Sequence, residues 1–202
     1  MTEGPYRGKR AIDLAILAAV AVPALAIGAI AALAVRLTSA GPVLFRQERV
    51  GLDGETFECL KFRSMLHGDN PLVPADDRIT AVGRWLRRLS LDELPQLLNV
   101  AKGEMSVVGP RPMLPFQAER CNDHQRRRFA VRPGLTGWAQ VNGRNALSWP
   151  DRIALDVDYV EDQSIMLDMK IIAATATAVL SGDGVEGHDA TDPFVAPADS
   201  DA

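Results

Sequence analysis

The chain of 202 residues has a formal net charge of -4, with 47% hydrophobic and 5% aromatic residues, and is long enough for one compact domain plus an appendage but too short for two large cores. The last 22 residues hold Asp183, Glu186, Asp189, Asp192, Asp199 and Asp201 and no Lys or Arg, so that without these six acids residues 1–180 stand at +2. So small a positive charge with few aromatics excludes the footprint of a nucleic-acid binder, and the distant Cys59 and Cys121 exclude a Cys-x-x-Cys zinc site or a disulfide framework, with a reducing compartment as the default.

In chain order, residues 1–10 read as a basic tail with Arg7, Lys9 and Arg10, followed by a membrane helix over 11–38. Residues 14–35 carry no charged or strongly polar side chain, and at about 1.5 Å per residue they can cross a hydrocarbon core of about 30 Å. That run is too long for a cleaved secretory signal. Pro23 near its middle removes a backbone donor and predicts a kink. Basic residues flank both ends, with Arg36, Arg46 and Arg49 on the far side, as they would if the helix entered and left by the same face. A re-entrant helix broken at Pro23 and an ordinary span with a tolerated proline both remain open.

Residues 43–50 and 55–64 read as two strands around the turn Leu52-Asp53-Gly54, because Asp-Gly suits a tight hairpin and the flanks alternate. Period two puts Phe57, Cys59, Lys61 and Arg63 on one face, either a charged outer sheet face or a pair of cations for a ligand. After a loop rich in Asp and Pro (67–77), Ile79, Val82, Trp85, Leu86 and Leu89 recur at helical spacing with Arg78, Arg84, Arg87 and Arg88 mostly between them. This basic amphipathic helix could pack on the core or lie at a membrane interface.

Ser90-Leu91-Asp92-Glu93 fits a capping box, which alone could explain these residues. It would also set Asp92 at the second position of a helix, where free N–H groups keep a carboxylate ionised and attract phosphate. In Val108-Gly109-Pro110-Arg111-Pro112 two prolines present Arg111 from a stiff loop, suited to phosphate oxygens or simply to a turn. The stretch 132–145 combines glycines, arginines, amides and a hydroxyl in a mixture that fits a nucleotide diphosphate, although it is neither a Walker loop nor Gly-x-Gly-x-x-Gly. Residues 164–180 are apolar but carry Asp168 and Lys170, and so read as a helix docked on the domain, while 181–202 read as an acidic flexible tail.

Four segments and the helix with Pro23 run in the order of a known family: Lys61-Phe62-Arg63-Ser64-Met65, Ser90-Leu91-Asp92-Glu93-Leu94-Pro95-Gln96, Val108-Gly109-Pro110-Arg111-Pro112, and Arg132-Pro133-Gly134-Leu135-Thr136-Gly137-Trp138. The chain resembles the monotopic polyprenyl-phosphate phosphoglycosyl transferases, the bacterial sugar transferases, in their small form. Gly143-Arg144-Asn145-Ala146-Leu147-Ser148-Trp149 and Glu186-Gly187-His188 resemble the branch that transfers N,N'-diacetylbacillosamine 1-phosphate in Campylobacter, whereas Val22-Pro23 departs from the Ser-Pro of that branch. The resemblance implies an α+β fold: a re-entrant membrane helix, and a catalytic domain over 39–180 on the cytoplasmic face of the bacterial inner membrane, with a short hairpin and interfacial helices. It implies that Asp92 attacks the sugar-bearing phosphate of a UDP-sugar and expels UMP, that polyprenyl phosphate then takes the sugar phosphate, and that Asp92 and Glu93 serve Mg2+, Glu93 foremost. For phosphate contacts it points to Lys61, Arg63, Arg87, Arg88 and Arg111. For the nucleotide it points to Arg132, Pro133, Gly134, Thr136, Gln140, Asn142 and Arg144. A membrane-anchored scaffold and a phosphatase using the same carboxylate are the competing classes, and the sugar and the oligomeric state, homo-oligomer included, are not legible.

Overall fold

The computed structural model describes residues 4–66, 78–143 and 147–181; the 67–77 loop, Arg144 to Ala146, and the acidic tail with Glu186-Gly187-His188 lie outside the described residues. Helix α1 (Lys9–Thr38) is 30 residues long, about 45 Å at the α-helical rise, and is long and apolar enough to cross a membrane. Every residue in it is helical, Pro23 included, so the expected helix-break-helix is not present. One lost donor among strong helix formers such as Ala and Leu does not end the helix.

Both ends of α1 dock on the same domain. At its start Lys9 Nζ donates to Asp168 Oδ2 at 2.6 Å, Arg10 donates to the Val100 and Ala101 carbonyls at 2.6 and 2.9 Å, and Asp13 Oδ1 accepts from Ser106 Oγ and the Val107 amide. Towards its end Ala31 and Val35 are buried with Phe62 and Leu86. Between these anchorages the side chains of Val22 and Leu25 are 77% and 73% exposed, an apolar surface with no partner in the domain.

The hairpin forms as the alternation requires. Strand β1 (Leu44–Val50) pairs antiparallel with β2 (Thr56–Phe62), from Leu44 opposite Phe62 to Val50 opposite Thr56. In the turn Asp53 and Gly54 both adopt positive φ, 54° and 83°, which Asp and Gly tolerate best. Helix α2 (Ala81–Arg88) is capped by Thr80, whose Oγ1 accepts from the Gly83 amide at 2.9 Å. A Cβ on Gly83 would lie 1.9 Å from the Ser64 carbonyl oxygen, so only glycine lets α2 sit this close to the end of the hairpin. Trp85 on α2 is 64% exposed while Leu86 is buried, an amphipathic division as the spacing predicts.

The capping box at Ser90 does not form. Ser90 is left-handed (φ 54°), its amide closes α2 onto the Arg87 carbonyl, and its side chain makes no cap. Leu91–Glu93 is a single 3-10 turn, and helix α3 (Gln96–Lys102) starts only after Pro95. Glu93 cannot cap because its carboxylate is drawn to cations of other elements.

The remaining elements fill the core. Strand β3 (Ser106–Val108) pairs parallel with β4 (Gly134–Thr136), separated by short helices α4 (Pro115–Glu119) and α5 (Asp123–Arg126) and a 3-10 turn (Arg127–Ala130). Helix α6 (Trp138–Val141) precedes α7 (Trp149–Asp162), which is capped by Ser148 and buries Ile153, Val157 and Tyr159. Helix α8 (Ile165–Ser181) docks as expected, through Ile171 and through Asp168, which accepts from Tyr6, Lys9 and Tyr159.

Candidate active site

The end of β2, the 3-10 turn after α2 and the loop after β3 meet at Glu93. Lys61 Nζ, from β2, donates to Glu93 Oε1 at 2.8 Å, and Arg111 Nη2, from the Pro-Arg-Pro loop, donates to the same oxygen at 3.0 Å. Burial opposes the Glu93 charge, but Lys61 and Arg111 outweigh it and hold the carboxyl well below the usual range. Arg111 is stabilised as a cation in return, chiefly by Glu93.

Asp92 is the other half of the pair and behaves oppositely. Burial pushes its carboxyl up, against the pull of Lys61, Arg87 and Arg111, while the Glu93 charge pushes it up further. The expectation that a helix start keeps Asp92 ionised is therefore corrected: it sits in a 3-10 turn, half-buried, in the field of cations from other elements. Among the described residues no hydrogen bond or ion pair engages its carboxylate. Two adjacent carboxyls with pKa values pushed apart, one spent on cations and one uncommitted, suit distinct roles in one reaction.

Several sequence-predicted residues lie elsewhere or are otherwise engaged. Arg63 is 7% exposed and donates to the Ser39 and Ala40 carbonyls, so it holds the chain leaving α1 and does not accompany Lys61. It follows β2 after Phe62, where strand alternation has ended. Arg88 lies over the Trp85 ring on the outer side of α2, while Arg87 Nη1 contacts Met65 Sδ at 3.1 Å and acts on Asp92 through space. Arg132 Nε donates to the Gly103 carbonyl at the end of α3, and Thr136 Oγ1 shares a hydrogen bond with Thr175. Asn142 donates to the Trp138 carbonyl, and Arg144 is outside the described residues.

The glycines also differ from expectation. A Cβ on Gly134 would lie 2.1 Å from the Gly109 nitrogen, so its missing side chain admits neighbouring backbone and not a ligand; the Gly134 amide is spent on the Pro110 carbonyl at 2.8 Å. The Pro133 carbonyl accepts from Ser106. Gln140 has both carboxamide atoms buried without a partner among the described residues.

Sequence reasoning missed Arg49. It donates to the Pro112 carbonyl at 3.0 Å and to Gln47 at 2.7 Å, and burial followed by Arg111 pushes its guanidinium down to about 10. The signal was the hairpin register: Arg49 faces Phe57, on the same side of the sheet as Lys61. Lys61, Arg87, Arg111 and Arg49 against Asp92 and Glu93 leave a net positive centre, suited to phosphate groups.

The comparisons with known proteins decide the family. The model of the bacterial sugar transferase family matches residues 5–182. This chain belongs to the bacterial sugar transferases. A sugar transferase of Bacillus subtilis (strain 168) named "Uncharacterized sugar transferase EpsL" is 48% identical over 155 residues, which cover 75% of this chain and 77% of that protein. The UDP-glucose:undecaprenyl-phosphate glucose-1-phosphate transferase of Caulobacter vibrioides is 44% identical over 192 residues, 87% of this chain and 70% of that protein. The undecaprenyl-phosphate glucose phosphotransferase of Komagataeibacter xylinus is also 44% identical over 192 residues; this chain spans 36% of that longer protein. The family match covers α1 and every element that contributes to the Glu93 cluster.

Proposed function

We propose that this phosphoglycosyl transferase moves a sugar 1-phosphate from a UDP-sugar to polyprenyl phosphate, releasing UMP, through a covalent intermediate on Asp92. The observation that carries the reading is the uncommitted Asp92 carboxylate beside the Lys61–Glu93–Arg111 cluster. An Asp92 oxygen forms a bond to the phosphorus that bears the sugar as the bond to the UMP oxygen breaks. An oxygen of the lipid phosphate then attacks the same phosphorus, and its bond to Asp92 breaks, which restores the carboxylate and gives polyprenyl-diphosphate-sugar. Lys61, Arg87 and Arg111 offset the charge that develops on the phosphoryl oxygens.

Asp92 and Glu93 would hold Mg2+. Mg2+ takes one or two carboxylates and completes its shell from phosphates and water, a demand that this adjacent pair could meet. Both cationic bonds to Glu93 fall on Oε1, which would leave Oε2 for the ion. When bound, Mg2+ supplies charge neutralisation on the diphosphate.

The proposed location is the cytoplasmic face of the bacterial inner membrane, with α1 seated against that face as one unbroken helix. Docking of both ends of α1 on one domain supports this, because a helix whose two ends rest on the same folded unit does not deliver one of them to the far side of a bilayer. The proposed sugar is of the acetamido type, UDP-N,N'-diacetylbacillosamine first, on the likeness of residues 143–149; glucose and galactose, which appear in the names of relatives, are the alternatives. The test is UMP release by purified protein with polyprenyl phosphate over a panel of UDP-sugars, with and without Mg2+. The reading expects turnover with one sugar class only, dependence on Mg2+, and a sugar phosphate trapped on the wild-type protein when lipid is withheld. Full turnover by Asp92→Asn, or phosphate release without lipid, would overturn it.

A further inference from the structure

The loop that presents Arg111 is held by its carbonyls. Residues 110 and 112 are prolines and have no N–H to give, so acceptors carry most of the fixing of the loop. Four successive carbonyls are each taken by a donor from another segment. The Gly134 amide donates to Pro110 at 2.8 Å, Arg128 Nη2 to Arg111 at 2.9 Å, Arg49 Nη1 to Pro112 at 3.0 Å, and the Val50 amide to Met113 at 2.9 Å. Only one of these four is made by a fully buried side chain: Arg128 is 1% exposed and is paired with Asp156, also 1% exposed, through the same Nη2.

Stability does not explain this pair. Arg128 Nε and Nη1 and Asp156 Oδ1 are buried without a hydrogen-bond partner among the described residues, and an ion pair so placed recovers less than its desolvation cost. What the arrangement does secure is the position of the backbone carbonyl of Arg111, the residue whose guanidinium reaches Glu93. We infer that Arg128, with Asp156 as its buried counter-charge, is the positioning residue that aims Arg111 into the site. Asp156 comes from α7 and Arg128 from the 3-10 turn before β4, so the aim of Arg111 is set by elements that contribute nothing else to the Glu93 cluster.

The inference rests on Arg111 serving as a phosphate contact, and the experiment separates the two claims. The affinity of the full-length protein for UDP with Mg2+ is measured by calorimetry for four forms: wild type, Arg111→Ala, the volume-conserving pair Arg128→Met with Asp156→Leu, and the combination. Replacing both charges by apolar groups removes the buried charges without leaving either one unpaired. The expected result is a roughly tenfold weakening from the pair in the wild-type background and less than twofold in the Arg111→Ala background, since a residue that acts through Arg111 has nothing to act on once Arg111 is gone. Equal weakening in both backgrounds, or none in the wild type, overturns the inference. An unchanged UDP affinity for Arg111→Ala alone overturns the reading of Arg111 beneath it. If the apolar pair does not fold, Arg128→Lys carries the same cycle, because a single ammonium keeps the charge opposite Asp156 but lacks the planar fork that serves both partners at once.

Discussion

Lys61→Met tests the electrostatic account of the Asp92-Glu93 pair most directly. Lys61 Nζ is 2.8 Å from Glu93 Oε1 and is the strongest of the cations that pull the neighbouring Asp92 carboxyl down. At an effective dielectric of about 20, unit charges about 7 Å apart interact by about 2.4 kcal/mol. Water at a Lys61 side chain that is 21% exposed screens part of such an interaction. The sign follows from the direction of each influence: Lys61 lowers the Asp92 pKa and Glu93 raises it, so removing Lys61 raises it both directly and by leaving more of the Glu93 charge uncompensated. On the proposed mechanism only the ionised Asp92 attacks phosphorus, so the acid limb of kcat/KM for UMP release moves to higher pH, with activity restored at alkaline pH as far as Asp92 titration limits it. An acid limb that stays in place, or moves to lower pH, would refute the coupling between these residues.

Two further outcomes are expected. Glu93→Gln removes the charge that raises the Asp92 pKa and frees Lys61 and Arg111 to lower it, so the acid limb of any residual activity moves to lower pH, the opposite of Lys61→Met, in the same assay. Asp168→Asn leaves the buried Lys9 ammonium with the more distant Asp13 carboxylate, 3.8 Å away, as its counter-charge, at a cost of about 3 kcal/mol; thermal scanning of detergent-solubilised protein should show a fall in Tm of about 10 °C, and an unchanged Tm would mean that α1 is held at its start by its other contacts.

Period and turn chemistry were enough for the hairpin, for the amphipathic α2 and for the docked α8, because each depends on side chains within one short window. Asp53 and Gly54 supply the positive φ of the turn by themselves, and Asp168 within an apolar run announces a buried partner without naming it. The capping box misled because local chemistry lost to distant charge. Ser90 and Glu93 have the right spacing, yet Lys61 is 32 positions from Glu93 and Arg111 is 18, and their pull outweighs a backbone cap. Arg63 and Arg132 misled for the converse reason. Both are arginines in family motifs, and both are spent on carbonyls at helix ends, where a guanidinium replaces the missing intrahelical donors.

By itself the sequence determined that a long apolar helix precedes a small α+β domain, and that an acidic pair lies among basic residues in the order of a sugar transferase. The tertiary structure alone decided which cations reach that pair. Three elements far apart in the chain must fold before Lys61 and Arg111 converge on one Glu93 oxygen, and before Asp92 is left beside them uncommitted. It also decided that α1 returns to the domain at both ends, which no hydropathy pattern encodes, because the anchors are polar residues contributed by β3, α3 and α8 at one end and the buried side chains of β2 and α2 at the other.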